Sequence, residues 1–284
     1  MSISKDALSR FILVNDIFGE SVLNKKEFFD FEKNFKNNAL SNIFDLKLWE
    51  LADKTTKKNA EKIYQALKQD CNEILKQLND LKITVLCKND EFYPKKIYKK
   101  LKDEAPILLY CIGDISLLNK KAAAVTGSRD ISERAKKFAK DIGETIAKEN
   151  SVLITGGARG SDIIATKSAI KNGGKVVWFS AAPLIQILKN KTLTDLINKG
   201  SLCVCTDFSP FGEFEGKKAL RRNKYIYANT DTAFVCQCNS KISGTYSGAN
   251  YCLKNNLTDL YVFENGYDSE KLLIKNGANS IIDR

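Results

Sequence analysis

The spacing of apolar positions changes once along this chain. Up to about residue 80 it is helical. Leu8, Phe11 and Ile12 make a short stripe, and Ala60, Ile63, Tyr64, Leu67, Cys71, Ile74, Leu75 and Leu78 make a longer one that ends near Lys82. From Ile83 onward, short apolar runs alternate with amphipathic ones. Runs at 83–87 and 106–111, the second closed by Gly113, read as strands on either side of a Phe92-Tyr93-Pro94 break. Further strands are expected at Ala122–Thr126, Val152–Thr155, 175–180, Leu202–Thr206, 232–237 and Asp259–Phe263, with helices starting near Ser132, Ser161, Pro183, Lys217 and Gly244. Buried strands separated by amphipathic helices predict an α/β fold: a doubly wound, mostly parallel sheet over residues 81–284, preceded by a small helical accessory domain over 1–80.

In such a sheet, ligands bind beyond the carboxyl ends of the strands, where the strand order reverses. Two glycine turns lie at strand ends: Gly127-Ser128-Arg129, and Gly156-Gly157-Ala158-Arg159-Gly160-Ser161-Asp162. Each leads into a helix whose first amides lack partners and carry partial positive charge, so both turns attract anions. Arg129 and Arg159 add full charges beside them. In the first helix, Ser132 can cap the start, Ala135, Phe138, Ala139, Ile142 and Ile146 can face the sheet, and Asn150 can end it. The second turn is neither a Walker A loop nor a clean GxGxxG, and Asp162 also reads simply as a turn or cap residue.

A basic run, Lys217-Lys218-Ala219-Leu220-Arg221-Arg222-Asn223-Lys224, opens a helix on the same sheet edge, and Ser243-Gly244-Thr245 starts another. Residues three or four apart share a helix face, so Lys218, Arg221 and Arg222 are expected to cluster, with Lys217 and Lys224 at the margins. A net charge of +11 suits a partner with many phosphates or an acidic surface, although a run of cations can equally be a solvated face. The chain has no histidine, which excludes Ser-His-Asp and Cys-His catalysis and mixed Cys/His metal sites. Neither a catalytic residue, a metal ligand nor a cofactor is expected. The eight cysteines form no CxxC pair; Cys203/Cys205 and Cys236/Cys238 lie in apolar runs and read as buried thiols. Free thiols, no span of transmembrane length and an N-terminal apolar core too short for a signal peptide lead to the expectation of a cytoplasmic protein with no membrane partner.

Taken in order, Phe92-Tyr93-Pro94, the segment from Ala105 to Gly113, Val125 to Arg129, Thr155 to Asp162, Arg222 to Lys224, Ser243 to Thr245 and Asn276 to Asp283 resemble the DprA/Smf family of DNA-processing proteins of natural transformation. The resemblance covers roughly residues 80 to 284, and the helical domain in front, SAM-like by that resemblance, fits the family layout. It implies an extended Rossmann-like fold, a non-catalytic role and single-stranded DNA in a basic pocket. It further implies self-association as a homodimer and delivery of DNA to a RecA-type recombinase. Carried over, Gly127, Ser128, Arg129, Gly156, Gly157 and Gly160 fall on the phosphate-contacting turns, and Arg222, Asn223 and Lys224 on the family's Arg-Asn-Arg stretch. The residues expected to meet nucleic acid are these together with Arg159, Lys218, Arg221, Ser243, Gly244 and Thr245.

The chain also departs from the family. The usual Phe-Pro before Arg-Asn-Arg is Ala219-Leu220, so an aromatic base platform is missing there. The usual Gly-Ile-Asp is Ser161-Asp162-Ile163, and the family's Pro-Gly after the last strand is Glu264-Asn265-Gly266. The alternative class is a nucleotide-binding or nucleotide-cleaving enzyme similar to the LOG proteins. The Pro-Gly-Gly-x-Gly-Thr-x-x-Glu run that would supply its catalytic acid is absent. A blander reading is a module that docks an acidic protein partner.

Overall fold

The structure, a computed structural model, describes residues 3–14, 22–34, 40–47, 50–51, 53–213 and 216–282. Asp283, the last residue of the terminal motif, lies outside them. The chain divides into two compact units, 1–93 with 106–110, and 94–105 with 111–284.

The first unit contains helices α1 (Lys5–Val14), α2 (Lys25–Lys33), α3 (Lys57–Leu67) and α4 (Asn72–Asp80), then strand β1 (Thr84–Leu86). The long apolar stripe does not form one helix. The chain breaks between Leu67 and Asn72, and the Asp70 carboxylate accepts from the Asn72 amide at 2.8 Å to start α4. Arg10 is buried between Asp6 (3.1 Å) and Glu32 (2.5 Å), and Asp6 also accepts from Cys87 Sγ and Asn89. A charge this enclosed is tolerated because it is paired on two sides.

After α5 (Lys95–Leu101) and β2 (Leu109–Ile112), the second unit alternates as its sequence pattern predicts. It runs β3 (Ala122–Thr126), α6 (Glu133–Lys148), β4 (Val152–Thr155), α7 (Ser161–Lys171) and β5 (Lys175–Phe179). Two short helices follow, α8 (Leu184–Leu188) and α9 (Lys191–Asn198), where one was expected; the Asn190 side chain accepts from Leu193 N at 3.2 Å and restarts the helix. Then come β6 (Leu202–Thr206), α10 (Gly216–Ala228), β7 (Thr232–Val235), α11 (Gly244–Lys254), β8 (Asp259–Phe263), α12 (Asp268–Lys275) and β9 (Asn279–Ile281).

The strands line up as β6-β5-β4-β3-β7-β8-β9, each pair parallel. Its interior is Val, Leu and Ala: Leu153, Val177, Leu202, Val204, Ala124 and Val235 have no exposed surface. Each large aliphatic removed from water this way contributes about 1.5–3 kcal/mol. Helix α6 is capped by Ser132, packs with Ala135, Ala139 and Ile146 buried, and stacks Phe138 on Phe263 at 4.2 Å. The next residue but one after its end, Asn150, takes φ of 53°, the left-handed conformation that stops the helix. From β3 the sheet grows one way through β4, β5 and β6 and the other way through β7, β8 and β9. The order therefore reverses between β3 and β7, and a crevice opens at their carboxyl ends.

Candidate nucleic-acid interface

Gly127-Ser128-Arg129 leaves β3 at that crevice. The Ser128 amide donates to the Gln237 carbonyl at 2.9 Å, and Asn239 N donates to Ser128 Oγ at 3.1 Å. The turn is thus held by the chain leaving β7. The Gln237 side chain reinforces this by accepting from both the amide (3.0 Å) and the hydroxyl (2.9 Å) of Ser132 at the start of α6.

The second glycine turn leaves β4 and lies against the first. Gly160 has φ of +88°, and a Cβ there would stand 2.4 Å from the Ser128 carbonyl oxygen, so no side chain fits on either count. Asp162 Oδ2 accepts from the amides of Gly156 (3.0 Å) and Ala158 (3.2 Å) and so closes the turn. The turn-residue reading of Asp162 describes this contact well.

Asp162 also faces Arg222 of α10. Both are buried, at 4% and 8% exposure. Burial pushes the Asp162 carboxyl above its usual range, and the nearby Arg222 charge opposes that rise. Burial likewise lowers Arg222, with Asp162 opposing. The guanidinium lies against Gly156, where a Cβ would stand 1.4 Å from Nη1, and Arg222 Nε has no hydrogen-bond partner. A buried donor left unpaired costs about 1–3 kcal/mol.

These elements surround a cavity of ≈ 370 Å³. Of the residues expected to meet nucleic acid, Gly127, Ser128 and Arg129 line it from β3, and Arg222 and Asn223 from α10. Ser243, Gly244 and Thr245 line it from the start of α11, where Ser243 Oγ accepts from Tyr246 N at 3.1 Å. Asn223 Nδ2 donates to the Gly244 carbonyl at 3.1 Å and ties the two helices together. Gly156, Gly157 and Gly160 build the second turn without lining the cavity. Arg159 stands outside it, paired at the surface with Asp130 at 3.1 Å.

The basic run does not act as one face. Arg222 turns inward, whereas Lys218 sits 4.2 Å over the Phe208 ring and donates to the Glu213 carbonyl. Arg221 pairs with Asp207 at 2.6 Å, and Lys224 pairs with Glu104 beneath the Tyr251 ring. The expected cluster of Lys218, Arg221 and Arg222 is split because Asp162 and Asp207, from different elements, draw the two guanidinium groups apart.

Four supporting residues were not anticipated. Tyr227 OH and Thr126 Oγ1 share a hydrogen bond of 2.9 Å under the cavity. Glu270, 1% exposed, accepts from the amides of Cys238 (3.0 Å), Asn265 (2.8 Å) and Tyr267 (3.1 Å). Asn265 Nδ2 in turn reaches the Cys236 carbonyl at 2.9 Å, so the Glu264-Asn265-Gly266 departure carries its own bracing. The available signal for Gln237 was a polar residue inside an otherwise apolar run, whereas Glu270, between Ser269 and Lys271, has no such signal. Among the described residues, no group of three or more His, Cys, Asp or Glu side chains is placed to hold a metal ion, and no helix is long and apolar enough to cross a membrane.

Comparison with known proteins bears on this geometry. The chain is 32% identical over 126 residues to the DNA processing protein DprA of Streptococcus pneumoniae, covering 43% of this chain and 42% of that protein. It is 26% identical over 191 residues to protein Smf of Borreliella burgdorferi, covering 66% and 59%. The alignments thus span about half the length of these relatives. Among solved structures, DprA of S. pneumoniae superposes with a TM-score of 0.76 at 21% identity over 99% of this chain and 95% of that one, which shows a shared fold. DNA processing protein A of Helicobacter pylori, solved in work on its single-stranded DNA binding mode, gives a TM-score of 0.59 at 25% identity over 71% and 91%. The model of the family described as DNA recombination-mediator protein A matches residues 84–284, the whole of the sheet and its crevice, and the chain belongs to that family.

Proposed function

We propose that the cavity at the β3/β7 reversal binds single-stranded DNA through its phosphates, as a non-catalytic step in DNA processing. The observation that carries this reading is Arg222: a buried guanidinium with an unpaired donor, in a cavity whose rim holds the exposed Arg129 and a helix start at Ser243–Thr245. Phosphate supplies the acceptors such a site lacks. The carboxylates lining the cavity are Asp130 and Asp162, and Asp162 is committed to two backbone amides, which favours binding over cleavage. The family supports the further reading that the protein acts as a homodimer in the cytoplasm and passes the strand to a RecA-type recombinase.

The test is a fluorescence anisotropy titration of labelled oligo-dT at several salt concentrations. Each phosphate contact should add about 0.7 to the slope of log K against log salt for a single strand. Binding that weakens steeply with salt is expected. No binding at low salt, or release of free base from nucleoside monophosphates, would overturn it. Sedimentation of the free protein tests the dimer, and co-sedimentation with a RecA-type recombinase on oligo-dT tests the hand-over.

A further inference from the structure

Helix α10 leads away from the cavity as well as lining it. Asn223 stands in the cavity wall, and the helix ends at Ala228, about 8 Å further along its axis. It packs against α5, the lysine-rich helix Lys95–Leu101. Lys224 pairs with Glu104 just beyond α5, Lys100 Nζ donates to the Thr230 carbonyl at 2.8 Å, and Lys96 pairs with Asp231 at 2.5 Å. Those three cations are committed within the chain. Lys95 and Lys99 are not. Both are exposed, as are Lys120 and Lys121 at the entry to β3, and among the described residues none of the four makes an ion pair. The two segments are tied together. Lys95 N donates to Asn119 Oδ1 at 3.1 Å, and the Asp231 carboxylate that holds Lys96 also accepts from the Ala122 amide at 3.1 Å. Lys120 and Lys121 are the residues between those two anchors, so the four lysines gather at the amino end of β3.

A run of surface lysines is ordinarily a solvated face. This one differs in three respects. Its neighbouring carboxylates are already engaged, Asp231 as described and Glu104 by Lys224 and by Tyr251 OH at 3.1 Å, which leaves the exposed Asp103. Tyr98, 45% exposed, lies three residues after Lys95 and next to Lys99, so a ring is interleaved with the cations. Aromatic and cationic side chains in alternation suit a single strand, whose bases stack while its phosphates are neutralised. Finally, the helix that lines the cavity delivers its own cation, Lys224, to the same place.

We infer that Lys95, Lys99, Lys120 and Lys121 form a second phosphate-contacting surface, which engages the part of the same single strand that leaves the cavity along α10. This rests on the single-stranded DNA reading of the cavity. The cavity alone then sets the affinity for short strands, and the lysine surface adds affinity only once a strand is long enough to reach it.

The test is an anisotropy titration of oligo-dT from about 4 to about 30 nucleotides, a span that brackets common single-strand site sizes. It compares the unchanged protein with Lys95→Gln/Lys99→Gln/Lys120→Gln/Lys121→Gln. All four sites are exposed, and the urea transition checks that the fold is kept. A control variant removes the same charge from exposed positions of α6 and α7, as Lys137→Gln/Lys140→Gln/Lys167→Gln/Lys171→Gln. The first variant should bind the shortest strand as the unchanged protein does. On the longest it should bind at least about tenfold more weakly, with the salt slope lowered by up to about 2.8, since each lost contact removes about 0.7. The control should keep its slope at every length. An unaltered long-strand slope in the first variant overturns the surface, as does an equal fall in the control, which would report net charge alone. Equal weakening at all lengths, or a second short-strand binding event that the first variant loses, overturns its place on the outgoing strand. All of these leave the cavity reading standing. Failure of the unchanged protein to bind any strand at low salt removes the DNA reading itself, and the second surface with it.

Discussion

Gly156 offers a direct test of the buried guanidinium. Its φ is not positive, so alanine meets no backbone strain there. In an unobstructed site, the stiffer unfolded chain would make Gly→Ala stabilising by about 0.4–1 kcal/mol. The obstruction is Arg222: the new Cβ would stand 1.4 Å from Nη1, 1.9 Å from Cζ and 2.2 Å from Nη2. The guanidinium is enclosed and must be driven from its place, and overpacking of that kind costs about 1–3 kcal/mol. Gly156→Ala should therefore destabilise the protein by about 1–2 kcal/mol net. In an Arg222→Ala background the clash is gone, and the same change should be neutral or stabilise by about 0.4–1 kcal/mol. The difference is a coupling of about 1–3 kcal/mol, within the range for residues in contact. Gly157 is the control. Its φ is +65° and its Cβ would meet the Trp178 ring at 2.6 Å, so Gly157→Ala should cost the same in both backgrounds. Urea transitions followed by tryptophan fluorescence give all four numbers. A Gly156→Ala cost that persists unchanged when Arg222 is absent refutes the packing of guanidinium on glycine.

Arg129→Ala should weaken binding to oligo-dT at fixed salt far more than Lys62→Ala in α3, and should lower the salt slope by about 0.7; equal losses in the two variants count against the cavity. Within the basic run, Lys218→Ala, Arg221→Ala and Lys224→Ala should divide into variants that flatten that slope and variants that do not, because each cation already has a partner in Glu213, Asp207 or Glu104. If all three leave it unchanged, the DNA path bypasses this run. Burial raises the Cys205 and Cys236 thiols, and the contact with Cys205 followed by burial raises Cys203, so all three stay protonated and unreactive at pH 8, and burial pushes Cys252 up to about 11. Iodoacetamide at pH 8 should therefore label the half-exposed Cys71 first, read by peptide mass; earlier labelling of Cys203 or Cys236 would contradict their burial.

The alternation from β3 to β8 is legible in the sequence because buried parallel strands are uniformly apolar and their covering helices are not. Short elements are not legible in the same way. Helix α5 offers two buried apolar residues among four lysines, and β9 is three residues long with none buried. The single helix expected after Pro183 fails for a local reason, the cap at Asn190. At the cavity, the glycine turns and Ser243–Thr245 stand out by residue type and position. The orientation of Arg222 does not, since helix periodicity alone sets it beside Arg221. The carboxylate that pulls it inward lies sixty residues earlier, and no local pattern encodes that attraction. Ala219-Leu220 reads as the loss of an aromatic platform, while the exposure of Leu220 and of Ile242 is visible only in three dimensions.

The reversal of strand order at β3 has a consequence for synthesis on the ribosome. The β3 turn is made early, and its neighbour β4 follows within thirty residues. The other wall, from β7 and α11, is made roughly a hundred residues later, about 5–20 s at ordinary elongation rates. Until then Ser128 has no Gln237 or Asn239 to hold it. A nascent chain this rich in lysine grows beside ribosomal RNA, and its cavity at the strand reversal cannot close on that RNA before β7 and the start of α11 have emerged and docked.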